Sequence, residues 1–260
     1  MELKIEKPSD IPTRMSMILW GDSGCGKTTL AATAPGRKLF MMFDPDGDMS
    51  IRSINDWQRV ALANEKPVDI VKEGMKPDPF GISKHLDDFD TVVVDSLTKF
   101  SEHALQYAVI VNAHKKSTIE NPGLPGYGTR NIYVGAFVSN MIRVTSMLNK
   151  HLILITHEKD ADRNADGAIV GVSMMLGGQL PNVTSKDISE VWNMRDHGGK
   201  RYIAIRPERF RAPMKSRMFD MTGNTSFEWR YNANTGIGTT LAEWWDKYTT
   251  GEYVKLPVPK

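Results

Sequence analysis

Gly21-Asp22-Ser23-Gly24-Cys25-Gly26-Lys27-Thr28-Thr29 packs three glycines, one lysine and three hydroxyl side chains into nine residues. The stretch fits G-x-x-x-x-G-K-[ST], a spelling whose chemistry is to grip phosphate. Glycine removes the Cβ that would stop successive backbone N–H groups from turning inward around phosphate oxygens. Lys27 supplies a mobile full charge for β- and γ-phosphates, and the Thr28 hydroxyl suits Mg²⁺. Gly21 to Thr29 are therefore the candidate nucleotide-contacting residues. Cys25 is the chain's one cysteine. Lys27 and a following helix would lower its pKa; the plainer reading is a small loop residue without a redox task.

Three further clusters could do chemistry beside such a loop. Asp44-Pro45-Asp46-Gly47-Asp48 groups three carboxylates after the apolar run ending at Phe43. Such a cluster can be a solvated acidic turn, but beside a phosphate loop it points to metal or water activation. Asp95 ends Phe89-Asp90-Thr91-Val92-Val93-Val94-Asp95-Ser96, the position from which an aspartate serves a nucleotide-bound Mg²⁺. Asp95 or Ser96 could instead cap the next helix, and both roles can hold at once, Asp95 on metal and Ser96 capping. Thr156-His157 closes His151-Leu152-Ile153-Leu154-Ile155, a placement suited to sensing the γ-phosphate, although a lone histidine can equally be structural. Near the C-terminal end, Arg206, Arg209, Arg211, Lys215 and Arg217 are interleaved with Phe210 and Phe219 and few acids, Glu208 and Asp220. That run is a candidate phosphate contact, to nucleotide or nucleic acid.

The elements that must hold these residues follow from pattern. Met15 to Trp20 reads as a buried strand entering the loop, and Thr28 to Ala34 as a helix stopped by Pro35-Gly36. Residues 37–43, 89–95 and 151–157 read as further buried strands, which makes a mainly parallel sheet flanked by helices. Ligands of such sheets lie beyond the carboxyl ends of the strands. A short helix is expected over 50–65, a strand over Val68–Val71, helices over 97–115 and 131–149, and loops over 117–128 and 160–186. The 131–149 helix would turn Ile132, Gly135, Ala136, Val138, Ile142, Thr145 and Leu148 inward. Ile188–Met194 and Arg201–Ile205 flank Asp196-His197-Gly198-Gly199, a hairpin signal. Residues 226–231 read as a strand and 240–248 as an amphipathic helix whose tryptophans pack. Leu3-Lys4-Ile5 could be a short edge strand, and the tail from Leu256 to Lys260 reads as loose. The expected organisation is a lead-in over 1–13, a core over 14–225, and a C-terminal strand, helix and tail over 226–260.

Composition sets outer bounds. The chain has 260 residues, 40% hydrophobic and 25% charged, and a formal net charge of +2. That is ordinary for a globular protein with a sizeable core, and any basic surface must be local. A single cysteine allows no intramolecular disulfide, which fits a reducing compartment. No apolar run has signal-peptide or membrane-spanning length, so the expectation is a cytoplasmic location and no membrane role.

The ordered set of phosphate loop, acidic strand end, Val-Val-Val-Asp-Ser, long loop and Ile-Thr-His-Glu resembles the RecA-like P-loop ATPases over about residues 14–220. It looks most like the small core-only members encoded by bacteriophages, AAA-type nucleotide-binding proteins linked to single-strand annealing and recombination. The resemblance implies ATP and Mg²⁺ as cofactors, with Thr28 and Asp95 on the metal. It implies that Asp46 activates water, with Asp44 or Asp48 able to substitute, and that Thr156 and His157 sense the γ-phosphate. Lys215 and Arg217 would form a basic finger reaching a neighbour's γ-phosphate. The family usually has glutamate where Asp46 stands, so a slow ATPase is expected. Single-stranded DNA would be gripped by loops at about 117–130 and 160–186, with turnover stimulated by DNA. Partners expected are a homo-oligomer, ring or filament, and a single-strand DNA-binding protein; if the chain is phage-encoded, the compartment is the host cytoplasm. Two other readings use the same loop: an ATP-dependent switch that recruits or loads replication proteins with little turnover, and a small-molecule kinase.

Overall fold

The computed structural model describes residues 13–219, 225–252 and 254. Leu3-Lys4-Ile5, Asp220 and the tail from Leu256 lie outside the described residues. In chain order the elements are β1 (Ser16–Gly21), α1 (Lys27–Ala32), β2 (Lys38–Met42), β3 (Trp57–Ala61), α2 (Pro67–Gly74), β4 (Thr91–Asp95), α3 (Leu97–Val111), α4 (Gly123–Met147), β5 (His151–His157), β6 (Asp162–Arg163), β7 (Ile169–Gly171), α5 (Leu180–Lys186), β8 (Glu190–His197), β9 (Lys200–Ala204), β10 (Ser226–Trp229), β11 (Tyr231–Asn232), β12 (Ile237–Gly238) and α6 (Leu241–Thr249).

Eight strands form one sheet in the order β10-β9-β8-β1-β5-β4-β2-β3. From β8 to β3 every pairing is parallel, and β9 and β10 extend the β8 edge antiparallel. This is the expected α/β arrangement of a mainly parallel sheet flanked by helices, with a C-terminal hairpin extension. Two apolar cores sandwich the sheet. On one face, Met17, Leu19, Phe40, Met42, Val93, Ile153, Ile155, Trp192, Met194 and Ile203 pack with Leu30 of α1 and Trp244 of α6. On the other, Ile18, Trp20, Leu39, Met41, Val92, Val94, Leu152 and Leu154 pack with helices α2 to α4. Strand alternation assigns each side chain to one core or the other. Trp244 and Trp245 are 6% and 8% exposed, so they pack as expected.

Four stretches depart from the expectation. Residues 57–61 form a strand rather than the middle of a helix. β3 is the last strand of the sheet and mostly exposed, so no apolar run marks it. Val68–Val71 lies in α2, not in a strand. Pro67 occupies its first turn, where no N–H is needed, and Ile70, Val71 and Gly74 are buried at helical spacing; the β-branched residues are a weaker signal than that periodicity. The 117–128 loop is shorter than expected because α4 starts at Gly123. Pro125 fits in its first turn for the same reason as Pro67. The inward face of α4 is Val134, Phe137, Val138, Met141, Val144 and Thr145, while Ile132 is 69% exposed. Finally, 160–186 contains the β6–β7 hairpin and α5 as well as loop.

Helices α3 and α4 run antiparallel, as the contacts Phe100–Phe137 and Asn112–Thr129 require. α4 has 25 residues and α3 has 15. The ten-residue excess, about 15 Å at helical rise, carries the chain back along the sheet to start β5 parallel to β4. Among the described residues, no helix is long and apolar enough to cross a membrane.

Candidate functional site

The phosphate loop leaves β1 at the carboxyl edge of the sheet. A Cβ on Gly21 would collide with the Met194 carbonyl of β8, so only glycine lets the chain turn there. Gly26 holds φ +99, in the left-handed region, directly before α1. Lys27 is 5% exposed, and its ammonium donates to the Gly21 carbonyl at 2.9 Å and the Asp22 carbonyl at 2.6 Å. Neutral carbonyls hold it, and among the described residues no carboxylate pairs with it. Cys25 is fully buried, and burial pushes its thiol up despite Lys27. The lowered pKa that its neighbours imply is overturned by desolvation, which leaves the plainer reading of a small loop residue.

Three other strand ends bring side chains to the same face as α1, and parity decides which. In β4, Val93 faces the α1 core, so Asp95, two residues on, faces it too. The Thr28 hydroxyl donates to Asp95 Oδ2 at 2.8 Å. Burial pushes the Asp95 carboxyl up to about 6, opposed by the Thr28 hydrogen bond, raised further by Asp44 and opposed by Lys27. Ser96 Oγ accepts from Lys99 N at 3.2 Å. Ser96 therefore caps α3, while Asp95 meets Thr28.

In β5, Ile153 and Ile155 face α1, so His157 does as well, and it lines the cavity. Burial, with Lys27 adding to it, lowers the His157 pKa, which favours the neutral imidazole. Thr156 points the other way. It is fully buried, outside the cavity lining, and its hydroxyl lacks a partner among the described residues. The expected Thr156-His157 pair is split by strand alternation.

In β2, Phe40 and Met42 face α1, and the same parity carries on to Asp44. The Ser96 hydroxyl donates to Asp44 Oδ2 at 3.1 Å. Asp44 and Asp46 both line the cavity. Asp48 does not: it is buried and paired with Arg59 at 3.1 Å and Arg52 at 3.4 Å, which removes it as a substitute.

Together Ser23, Gly24, Gly26–Thr29, Asp44–Gly47, Asp95, His157 and Arg201 surround a cavity of about 410 Å³. Arg201 is the residue that sequence reading missed. None of the five basic residues singled out between 206 and 217 lines this cavity. Arg211 pairs with Glu158 at 3.3 Å, and Arg209 lies over Phe210 at 4.7 Å. The Lys215 ammonium donates to the Lys186 carbonyl at 3.3 Å, and the Arg217 N–H to Glu190 Oε1 at 2.7 Å. Lys215 is opposite Val191, near the amino end of β8 and away from the edge that carries the phosphate loop. Phe219 is a core residue, 1% exposed. The signal for Arg201 was available only as a cation one residue into the strand after the Gly198-Gly199 turn.

A nucleoside triphosphate with Mg²⁺ fits these residues. The loop has the glycine conformations of a phosphate cradle, Lys27 is a cation held by backbone carbonyls, and the Thr28–Asp95 pair supplies the hard oxygens that Mg²⁺ takes alongside phosphate and water.

The family model described as AAA domain, AAA_24, matches residues 13–217. Among solved structures, the KaiC-like protein PH0186 from the hyperthermophilic archaeon Pyrococcus horikoshii OT3 is similar with a TM-score of 0.47 and 13% identity, covering 85% of this chain and 87% of that one. No curated protein matches.

Proposed function

Because the chain belongs to the AAA-domain family and joins Thr28 to Asp95 beside Lys27, we propose that it binds and hydrolyses ATP with Mg²⁺ and does so on single-stranded DNA, in annealing, recombination or replication. The observation that carries the ATPase reading is the Thr28–Asp95 hydrogen bond of 2.8 Å inside the cavity that Lys27 also lines. When bound, Mg²⁺ would neutralise charge on the β- and γ-oxygens. The protein's own part is positioning and electrostatics. Gly21 to Thr29 hold the phosphates, Lys27 offsets their charge, and Asp95 and Thr28 hold the metal. Asp44 orients and deprotonates the attacking water. It is preferred over Asp46 because it follows β2 directly, in the parity of Phe40 and Met42, and because Ser96 holds it. His157, as a neutral imidazole, hydrogen-bonds at the γ-phosphate end.

The DNA reading draws on a surface coupled to that end. The Met175 N–H donates to the His157 carbonyl at 2.7 Å, and Glu158 bridges Met174, so the β6–β7 segment is rooted on the strand end that carries His157. The Val172 N–H in turn donates to the Phe210 carbonyl at 2.7 Å. Arg163, Arg209 and Phe210 are exposed on this joined surface. Cations beside an accessible aromatic ring suit a single strand, through phosphate contact and base stacking.

The test is ATP hydrolysis with and without single-stranded DNA, beside Lys27→Ala. Stimulation by DNA that fades as salt rises and disappears in the variant is the expected result. Turnover indifferent to DNA would overturn the DNA reading. DNA binding that needs ATP but proceeds without turnover would favour the ATP-dependent switch.

A further inference from the structure

Arg201 reaches the phosphate cavity from the same chain. Its backbone is held on both sides, opposite Asp196 of β8 and opposite Trp229 of β10. The hairpin turn that precedes it is closed by Asp196, whose carboxylate accepts from Gly199 N at 2.9 Å. Arg201 and Ile203 share a face of β9, and Ile203 belongs to the core beneath α1, so strand alternation sends Arg201 toward the phosphate loop. It arrives beside Gly26. A Cβ on Gly26 would sit 3.0 Å from Arg201 Cδ and Nε and 3.1 Å from Cζ. The absence of a side chain at position 26 thus makes room for this arginine as well as for the turn into α1.

The surroundings of Arg201 differ from those of its neighbours. Arg195 pairs with Glu208, Arg211 with Glu158 and Arg230 with Glu228. Among the described residues Arg201 forms no ion pair, and its guanidinium lies over the Trp229 ring at 5.8 Å. It lines the 410 Å³ cavity and also an adjoining hollow of about 840 Å³ that holds Trp229, Tyr231 and Asn232. Thr29 and Ser50 are likewise common to both. A half-buried guanidinium that pairs with no carboxylate among the described residues, at the junction between a phosphate cradle and a roomier hollow, has the geometry to fork onto phosphate oxygens.

We propose that Arg201 is a phosphate-binding arginine supplied in cis, gripping the nucleotide's phosphates where they leave the loop for the larger hollow. This rests on the ATP-binding reading above. It is separate from any contribution of Lys215 and Arg217 to a neighbouring subunit, and it makes nucleotide affinity independent of protein concentration.

The experiment measures dissociation constants of ATP, ADP and adenosine for the full chain, for R201Q, for R201K and for K27A, each at two salt concentrations and over a range of protein concentrations. R201Q is expected to weaken ATP and ADP by about tenfold or more, the size of a lost charge-assisted contact, with adenosine affinity unchanged and a shallower salt dependence. R201K keeps the charge but not the fork, and is expected between wild type and R201Q. A purely structural role would weaken adenosine and nucleotides alike, and that result overturns the proposal. So does an R201Q or R201K that binds ATP as wild type does while K27A does not; this outcome leaves the ATP reading standing. A wild-type chain that binds no ATP overturns both. An affinity for ATP that rises with protein concentration and collapses on dilution overturns the assignment in cis.

Discussion

At the scale of single residues the site is a set of side chains selected by strand parity. Asp95, His157 and Arg201 stand in β4, β5 and β9, Asp44 lies two residues beyond β2, and all four line the cavity beside the phosphate loop. Asp95→Asn removes a metal-directed charge, and Thr28→Val removes the hydroxyl that holds it. Each is expected to lower Mg²⁺-dependent turnover by about 100-fold or more, read from a Mg²⁺ titration of the ATPase rate. Asp44→Asn is expected to lower kcat by about 10² or more, the range for a general base, and Asp46→Asn by less than tenfold on the same scale. Steady-state kinetics of the pair decide between them, and the reverse order would move the water-activating role to Asp46. Arg201 was not legible beforehand, because it stands inside a strand rather than in a basic cluster. What makes it a site residue is the register of β9 against β8 and β10.

At the scale of elements, the helices on the far face hold the strand ends in place. Phe43, next to Asp44, packs edge-on against Phe100 of α3 and Phe137 of α4, at 5.7 and 6.4 Å, and those two rings stack at 4.1 Å. Phe100→Ala is expected to cost about 3–5 kcal/mol, measured as a shift of the urea midpoint. At the other edge, β5 begins with His151, whose Nδ1 accepts from Met15 N at 2.9 Å and whose ring meets Trp245 of α6 at 5.2 Å. An accepting nitrogen requires the neutral ring, and burial lowers its pKa from 6.5 to about 4. The unfolded chain therefore binds a proton below 6.5 that the folded chain refuses until about 4. The stabilisation is whole above 6.5 and is lost as pH falls through this window, by about 3 kcal/mol in all. His151→Asn keeps an acceptor without the titration, so its stability should fall less over the same range. Equal pH slopes for variant and wild type in denaturant melts would remove His151 as the cause.

At the scale of the whole molecule, the sheet separates two groups of cations. Arg201 stands over the chain's own phosphate loop, whereas Lys215 is set near the amino end of β8, and Arg217 is exposed. If Lys215 and Arg217 serve a neighbouring copy, turnover should rise steeply with protein concentration. K27A mixed with the double variant K215A/R217A should then recover part of the activity that neither shows alone, because an intact loop and an intact finger can meet across an interface. ATPase assays over a dilution series and on the mixture test this. Turnover per chain that stays flat on dilution, with no recovery on mixing, would assign hydrolysis to the single chain.

The sequence by itself determined the phosphate loop, the main parallel strands and the C-terminal hairpin, because each is written in contiguous residues. The G-x-x-x-x-G-K-T spelling, Thr91-Val92-Val93-Val94-Asp95 and the Asp196-His197-Gly198-Gly199 turn all act locally. Tertiary structure alone decided which side chains face the nucleotide. A parallel sheet covered on both faces has apolar residues at every position, so the alternation that would distinguish Thr156 from His157 leaves no trace in the hydrophobic pattern. The same holds for β3, whose edge position gives it no apolar signature, and for α2, whose β-branched residues read as strand until Pro67 and the buried Ile70, Val71 and Gly74 are seen as one helix. Arg201 became a site residue only when the register of β9 laid it against Gly26.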